Sequence, residues 1–362
     1  MISEKIILTP YLFKTRINGK EYIGNLLNNK YFIENSEKIE EIMNYFTELK
    51  NVPEKMNKDI KLIESLVKAK ILASEKNLML PLPNIELEIT NYCNSSCVMC
   101  PRSKLSRKKG FMSEYIFGIL TERLKELPVN EVEICGVGEP LLHKNVAEYV
   151  KKLKDIGINR VRINTNGSLL SDEKARALVE SGLDSITISF HTIDPTKYFW
   201  MMKGLNYYNV LENIKNFIEK YKKNVEVTIT CVVSKYNIDE IEGFKNFWKE
   251  ISIDNIYFQN IQSRAGNLYS VENPAQKCKC PVFEQGLYIS FEGKYLSCSN
   301  DFSGESSWGS IEESGLKECL NYKLNLIRKQ ELFEFCRYCD YDFQEQKYLK
   351  TNFHKHVTYP GV

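Results

Sequence analysis

The chain has 362 residues, 43% hydrophobic and 27% charged, with 49 Lys and Arg against 47 Asp and Glu. Near-average composition and a net charge of +2 exclude a disordered chain and a fibrous repeat, and leave no global electrostatic footprint for nucleic acid or anionic lipid. The length suggests two or three domains, and with neither a bilayer-length apolar run nor an export signal the expectation is a cytoplasmic protein with no nucleic-acid and no membrane partner.

Along the chain, Phe13 to Ile17, Asn18-Gly19 and Glu21 to Gly24 read as a hairpin, because Asn-Gly supplies the positive φ angles of a tight turn. Ile39, Ile42, Met43 and Phe46 follow Asn35-Ser36 at helical spacing, and Ile60, Ile63, Leu66 and Val67 repeat the pattern after Pro53. Residues 1–80 therefore read as a small winged-helix-like domain, closed by the linker Leu80-Pro81-Leu82-Pro83.

From Ile85 strand and helix patterns alternate six times, with strands expected at 85–90, 131–138, 160–167, 185–192, 225–233 and 255–261. Regular βα alternation implies an α/β class with a right-handed parallel sheet, here a partial (β/α)6 barrel resembling a TIM barrel over about 84–268. Within the strands Ile85, Leu87 and Ile89 alternate with Glu86, Glu88 and Thr90, and Ile186, Ile188 and Phe190 with Thr187, Ser189 and His191. The apolar parity must meet the outer helices, so the polar parity lines a charged lumen. By the same parity Cys135 belongs to the lumen and Cys231 to the outer core. Residues 269–345 form a third, cysteine-rich module with a helix at about 310–335, and 346–362 a polar tail.

Eleven cysteines in a long chain without an export signal read as reduced metal ligands. Cys93, Cys97 and Cys100 follow the first strand directly. Three thiolates in one loop suit a [4Fe-4S] cluster with one iron left open, whereas a closed zinc site wants a fourth ligand nearby.

This C-x-x-x-C-x-x-C loop, together with Gly136-Val137-Gly138-Glu139-Pro140 ending the second strand, resembles the radical S-adenosylmethionine (radical SAM) superfamily over about 85–345. The resemblance implies that Cys93, Cys97 and Cys100 hold the cluster, and that Gly136, Gly138 and Glu139 meet the methionyl amine of SAM. It further implies that Asn164, Asn166 and Ser189 face the carboxylate and ribose of SAM, and that Met99 contacts adenine. Strand-end turn chemistry is the simpler reading of Asn164, Asn166 and Ser189. Cys280, Cys298, Cys336 and Cys339 resemble the twitch form of the SPASM auxiliary domain, which implies a second [4Fe-4S] cluster; a four-cysteine zinc site is the alternative.

The implied chemistry is reductive cleavage of SAM to a 5′-deoxyadenosyl radical that abstracts hydrogen from a substrate C–H bond. Residues 1–80 weakly resemble a PqqD-like recognition element for RiPPs, ribosomally made modified peptides. The expected partner is therefore a precursor peptide whose leader they bind, in a cross-linking, dehydrogenating or epimerising reaction, with a flavodoxin- or ferredoxin-type reductant. The alternatives are a dehydrogenase of a polar small molecule, aminocyclitol- or sugar-like, and a non-enzymatic iron-sulfur electron carrier. Cys135 and His191 are the candidate catalytic residues. The basic run Arg102, Lys104, Arg107, Lys108 and Lys109 reads first as a solvated face, and Cys319 as core.

Overall fold

The computed structural model describes residues 6–8, 12–17, 20–25, 32–46, 50–69, 71–74, 84–127, 129–253, 255–270, 280, 282–283, 286–329, 331 and 333–340. The expected Asn18-Gly19 turn, the 80–83 linker, Cys278 and the tail with His354 and His356 lie outside them. One compact unit comprises 1–82 with 323–329, the other 83–322 with 330–362.

In the first unit Ser36 caps α1 (Glu37–Tyr45) by accepting the Ile39 N–H at 3.3 Å, and α1 buries Ile39, Ile42 and Met43. Helix α2 (Ile60–Lys68) buries Ile63 and Leu66. Strands β1 (Ile6–Leu8) and β5 (Leu72–Ser74) pair antiparallel, and β2 (Leu12–Ile17), β3 (Lys20–Asn25) and β4 (Phe32–Glu34) form a three-stranded antiparallel sheet. Ile17 pairs with Lys20, which fixes the expected hairpin register with room for two residues between.

In the second unit β6 (Asn84–Leu87), β7 (Glu131–Ile134), β8 (Arg160–Thr165), β9 (Ser185–Ser189), β10 (Glu226–Val233) and β11 (Ile256–Asn260) pair in parallel in chain order. Apart from β10 the strands stop one to four residues short of the expected ends, where the chain turns into loops; Gly136 (φ 121°) and Gly167 (φ 74°) leave extended geometry there. The intervening helices are α3 (Glu114–Leu124), α4 (Val146–Asp155), α5 (Asp172–Glu180), α6 (Pro195–Met201), α7 (Tyr207–Tyr221) and α8 (Ile241–Glu250).

The cysteine-rich stretch departs from expectation. Its strands β12 (Gly286–Ile289) and β13 (Tyr295–Leu296) do not form a sheet of their own; β12 pairs in parallel with β6 and β13 pairs antiparallel with β12, extending the barrel sheet to eight strands. The expected helix is α9 (Leu316–Lys329), and Cys319 on it is 2% exposed and accepts the Trp308 Nε1–H at 3.3 Å. No helix among the described residues is long and apolar enough to cross a membrane.

The period-2 reading of the faces holds. Ile85, Leu87, Val132, Ile134, Val161, Ile163, Ile186, Ile188 and Phe190 are buried on the helix side. Register sets Glu86 opposite Glu133, Glu133 opposite Arg162, and Asn164 opposite Thr187 on the other face. Cys231 is opposite Phe258, whose ring packs 5.7 Å from Phe244 of α8, so Cys231 is in the outer core. Cys135 instead feels Glu133, Glu86, Glu88 and Arg162, the lumen charges, and burial pushes its thiol well up.

Candidate active site

The loop after β6 is held from three sides. Ser96 N–H and Val98 N–H donate to Lys203 O (2.8 Å) and Met201 O (3.0 Å) at the end of α6. Asn166 Nδ2 donates to Asn94 Oδ1 (2.9 Å), and Asn94 Nδ2 to Ser168 Oγ (2.8 Å), tying the loop to the end of β8. Glu139 N–H donates to Tyr92 O at 2.7 Å from the end of β7. A Cβ on Gly138 would stand 2.2 Å from Thr90 O, so only glycine lets these two backbones meet.

The three thiols of this loop are close enough to feel one another's charge. Cys100 is exposed, whereas Cys93 and Cys97 are half-buried. Burial pushes the Cys97 thiol up to about 12, against Ser95 Oγ at 3.0 Å, and raises Cys93, which Arg102 partly offsets. Arg102 itself is anchored by donating to Ser95 O at 2.8 Å. Met99 is buried.

Glu139, expected to meet an ammonium, is 2% exposed and already accepts from Leu141 N–H (3.0 Å), Thr165 Oγ1–H (2.7 Å) and Asn166 N–H (2.8 Å). A carboxylate has about four acceptor positions, so one remains for a ligand, and its main work is to brace β7 against β8. Asn166 is likewise occupied, its Oδ1 accepting from Ser168 N–H and Oγ–H, so the turn reading describes it. Asn164 differs. Its Nδ2 donates to Glu133 Oε1, but its Oδ1 is buried without a partner among the described residues, an acceptor that suits a ligand hydroxyl or amine. Ser189 is half-buried at the end of β9.

His191 is not a free base in the lumen. It is 5% exposed, its Nδ1 accepts Val232 N–H at 3.1 Å, and burial lowers it to about 4, so it is a neutral wall residue. Arg107 corrects the solvated reading of the basic run. Its guanidinium is 5% exposed and grips Glu88 with two bonds of 2.8 and 3.0 Å, while Tyr288 OH donates to the same carboxylate at 2.7 Å. Sequence spacing gives no signal for this pair, because its members meet only through the fold.

The other cysteines also converge. Cys298 feels Cys280 and Cys336, and Cys336 feels Cys280 and Cys339. Among the described residues no three His, Cys, Asp or Glu side chains close on a single metal ion. Asp301 folds the turn after Cys298, accepting from Gly304 N–H, Glu305 N–H, Ser306 N–H and the Ser303 and Ser306 hydroxyls at 2.6–3.2 Å.

Fold and site define a class: a partial parallel barrel with a three-thiol loop at the mouth of its first strand and a second cysteine set joined to the same sheet. Residues 87–247 match the radical SAM superfamily. A curated relative, a probable GTP 3′,8-cyclase of Sulfolobus acidocaldarius, is 32% identical over 178 residues, 49% of this chain and 55% of that protein. The chain spans about half the length of the first curated relatives it matches. Among solved structures, Streptococcus suis SuiB bound to precursor peptide SuiA aligns with TM-score 0.58 at 15% identity, covering 92% of this chain and 93% of that one. BtrN in complex with AdoMet and 2-DOIA aligns with TM-score 0.51 at 20% identity, covering 72% and 93%.

Proposed function

We propose that the chain is a radical SAM enzyme acting on a C–H bond of a polar substrate held in the barrel lumen, in the first place a ribosomally made precursor peptide. The observation that carries the reading is the gathering of Cys93, Cys97 and Cys100 in a loop clamped by the ends of β7 and β8 and by the chain after α6. SAM on a [4Fe-4S] cluster supplies, when bound, a one-electron cleavage to a 5′-deoxyadenosyl radical. The chain's own part is placement. Cys93, Cys97 and Cys100 hold the cluster, and Arg102 favours the thiolate of Cys93. Asn164 Oδ1 and the remaining acceptor position of Glu139 receive donors of the cofactor, and Met99 and Ser189 complete its walls. Cys280, Cys298, Cys336 and Cys339 hold a second [4Fe-4S] cluster, and a flavodoxin- or ferredoxin-type protein delivers the electron.

The peptide reading is supported by extent: the likeness to SuiB, itself bound to a precursor peptide, takes in 92% of the chain, and residues 1–80 are then the leader-binding unit. A small-molecule dehydrogenation is the second reading, supported by the likeness to BtrN, which covers 93% of that structure. Anaerobically reconstituted, dithionite-reduced protein should convert SAM to 5′-deoxyadenosine and methionine. No cleavage would refute the enzyme reading; binding of a precursor peptide by the full-length chain, lost on removal of its leader, decides for the peptide.

A further inference from the structure

Directly after β11 the chain makes a left-handed turn in which Arg264 (φ 51°), Ala265 (φ 56°) and Gly266 (φ 78°) all have positive φ. Only the last is a glycine, so the first two residues are strained, and strain of this kind persists only where its surroundings over-determine it. They do so here through the segment that carries Cys336 and Cys339. Ser263 N–H donates to both oxygens of Asp340 (2.8 and 3.0 Å), and its hydroxyl lies 2.9 Å from Tyr338 O and from Asp340 Oδ1. Tyr269 OH donates to the same carboxylate at 2.5 Å, and a Cβ on Gly266 would stand 3.0 Å from Tyr338 Cβ.

What the turn presents is a half-buried guanidinium. Three arginines of the barrel are matched by glutamates: Arg107 by Glu88, Arg160 by Glu131 and Glu226, Arg162 by Glu131 and Glu133. Arg264 makes no ion pair among the described residues; its Nη1 donates only to the neutral Asn300 Oδ1, at 3.2 Å. Its charge reaches His191, which burial keeps neutral, so the wall it faces is not a competing cation. Two residues before it, Gln262 is 9% exposed and its Oε1 has no donor among the described residues. A half-buried cation without a counter-charge among the described residues, held by a strained and clasped turn beyond the end of the sixth barrel strand, suits an anion.

We propose that Arg264 is a binding residue for an oxyanion of the substrate, a carboxylate or a phosphate, and that the Ser263–Asp340 clasp holds it in position. The inference rests on the barrel being a substrate chamber.

The test is isothermal titration of the full-length, anaerobically prepared protein with inorganic phosphate, GTP and a glutamate-rich peptide. At least one should bind the wild type, and Arg264→Gln should weaken it about tenfold or more, as loss of a hydrogen bond to a charged group requires. Phosphate and GTP binding without the peptide marks a phosphate source; peptide binding marks a carboxylate. Arg264→Lys keeps the charge without the planar fork and should lose several-fold, which settles the matter should the glutamine variant not fold. Equal affinity in the variants, or no binding of any probe by the wild type, overturns the proposal. Cleavage of SAM by the same wild-type preparation reports separately on the enzyme reading.

Discussion

The two cysteine sets share one sheet but are braced differently. The Cys93 loop is held by backbone carbonyls of Met201 and Lys203, by the Glu139 N–H donating to Tyr92 O and by the neutral amides of Asn94 and Asn166, and it leaves Cys100 exposed. The second set is organised by carboxylates: Asp301 gathers the turn after Cys298, and Asp340 pins the chain one residue beyond Cys339. A charged acceptor with several donors makes a stiff support, about twice as strong per bond as a neutral one. Around the first thiols the direct bracing bonds are neutral, while Glu139 and Arg102 act on Cys93 in opposite senses.

The largest expected effect breaks the comparison outright. Anaerobically reconstituted protein should hold about eight irons, and joint replacement of Cys93, Cys97 and Cys100 by Ala should abolish SAM cleavage and remove about half the iron. Retained cleavage sinks the mechanism, and zinc at the second set sinks its assignment. Next, Asp301→Ala should lower stability by roughly 3 kcal/mol or more, because it strands several buried donors, whereas Asn166→Ala should cost about 1–2 kcal/mol. Urea midpoints of similar size for both variants would show that charge is not what distinguishes the supports.

The barrel wall carries its own titration. His191 is lowered in the folded chain to about 4. The unfolded chain therefore binds the proton first as pH falls from about 6.5, and stability is lost between about 6.5 and 4, by up to about 3 kcal/mol. Urea midpoints at pH 7.5 and 5 should show the loss, and His191→Gln should reduce it; an unchanged slope in the variant removes His191 as the cause. Smallest is the cysteine pair: Cys231→Ala should cost about 1 kcal/mol of packing and leave turnover intact, whereas Cys135→Ala, on the lumen face, should alter turnover or product distribution. The reverse pattern would separate chemistry from lumen position.

How much of this was legible in the sequence depends on the range of the interaction. Period-2 alternation placed six strands in order and assigned Cys135 and Cys231 to opposite faces, because side-chain parity is a local property. The Ser36 cap and both N-terminal helices were legible for the same reason. The glycines of the Gly136 element were legible as close approaches, and the chain itself makes such approaches there: a Cβ on Gly138 would crowd the Thr90 carbonyl, and one on Gly136 would stand 2.7 Å from Tyr288 OH. Arg107 looked like solvated charge because its partner Glu88 is brought to it only by the loop that Asn91 pins, through Lys108 O and Gly110 N–H. The union of the second cysteine set with the barrel sheet had no local signal, since nothing near residue 286 announces its partner at 84.

That pairing has a consequence for synthesis. Strand β6 is bonded by β7 on one edge and by β12 on the other, and Asn84 pairs with Gly286, 202 residues further along the chain (286 − 84). A growing chain thus carries the strand leading into the first thiol loop with one edge bare until more than three quarters of it has emerged. Contacts of such separation are slow to form, and an open edge beside apolar residues recruits other chains in the meantime. Strand β12 arrives after all six barrel strands, and its pairing seals the strand from which the first thiol loop hangs.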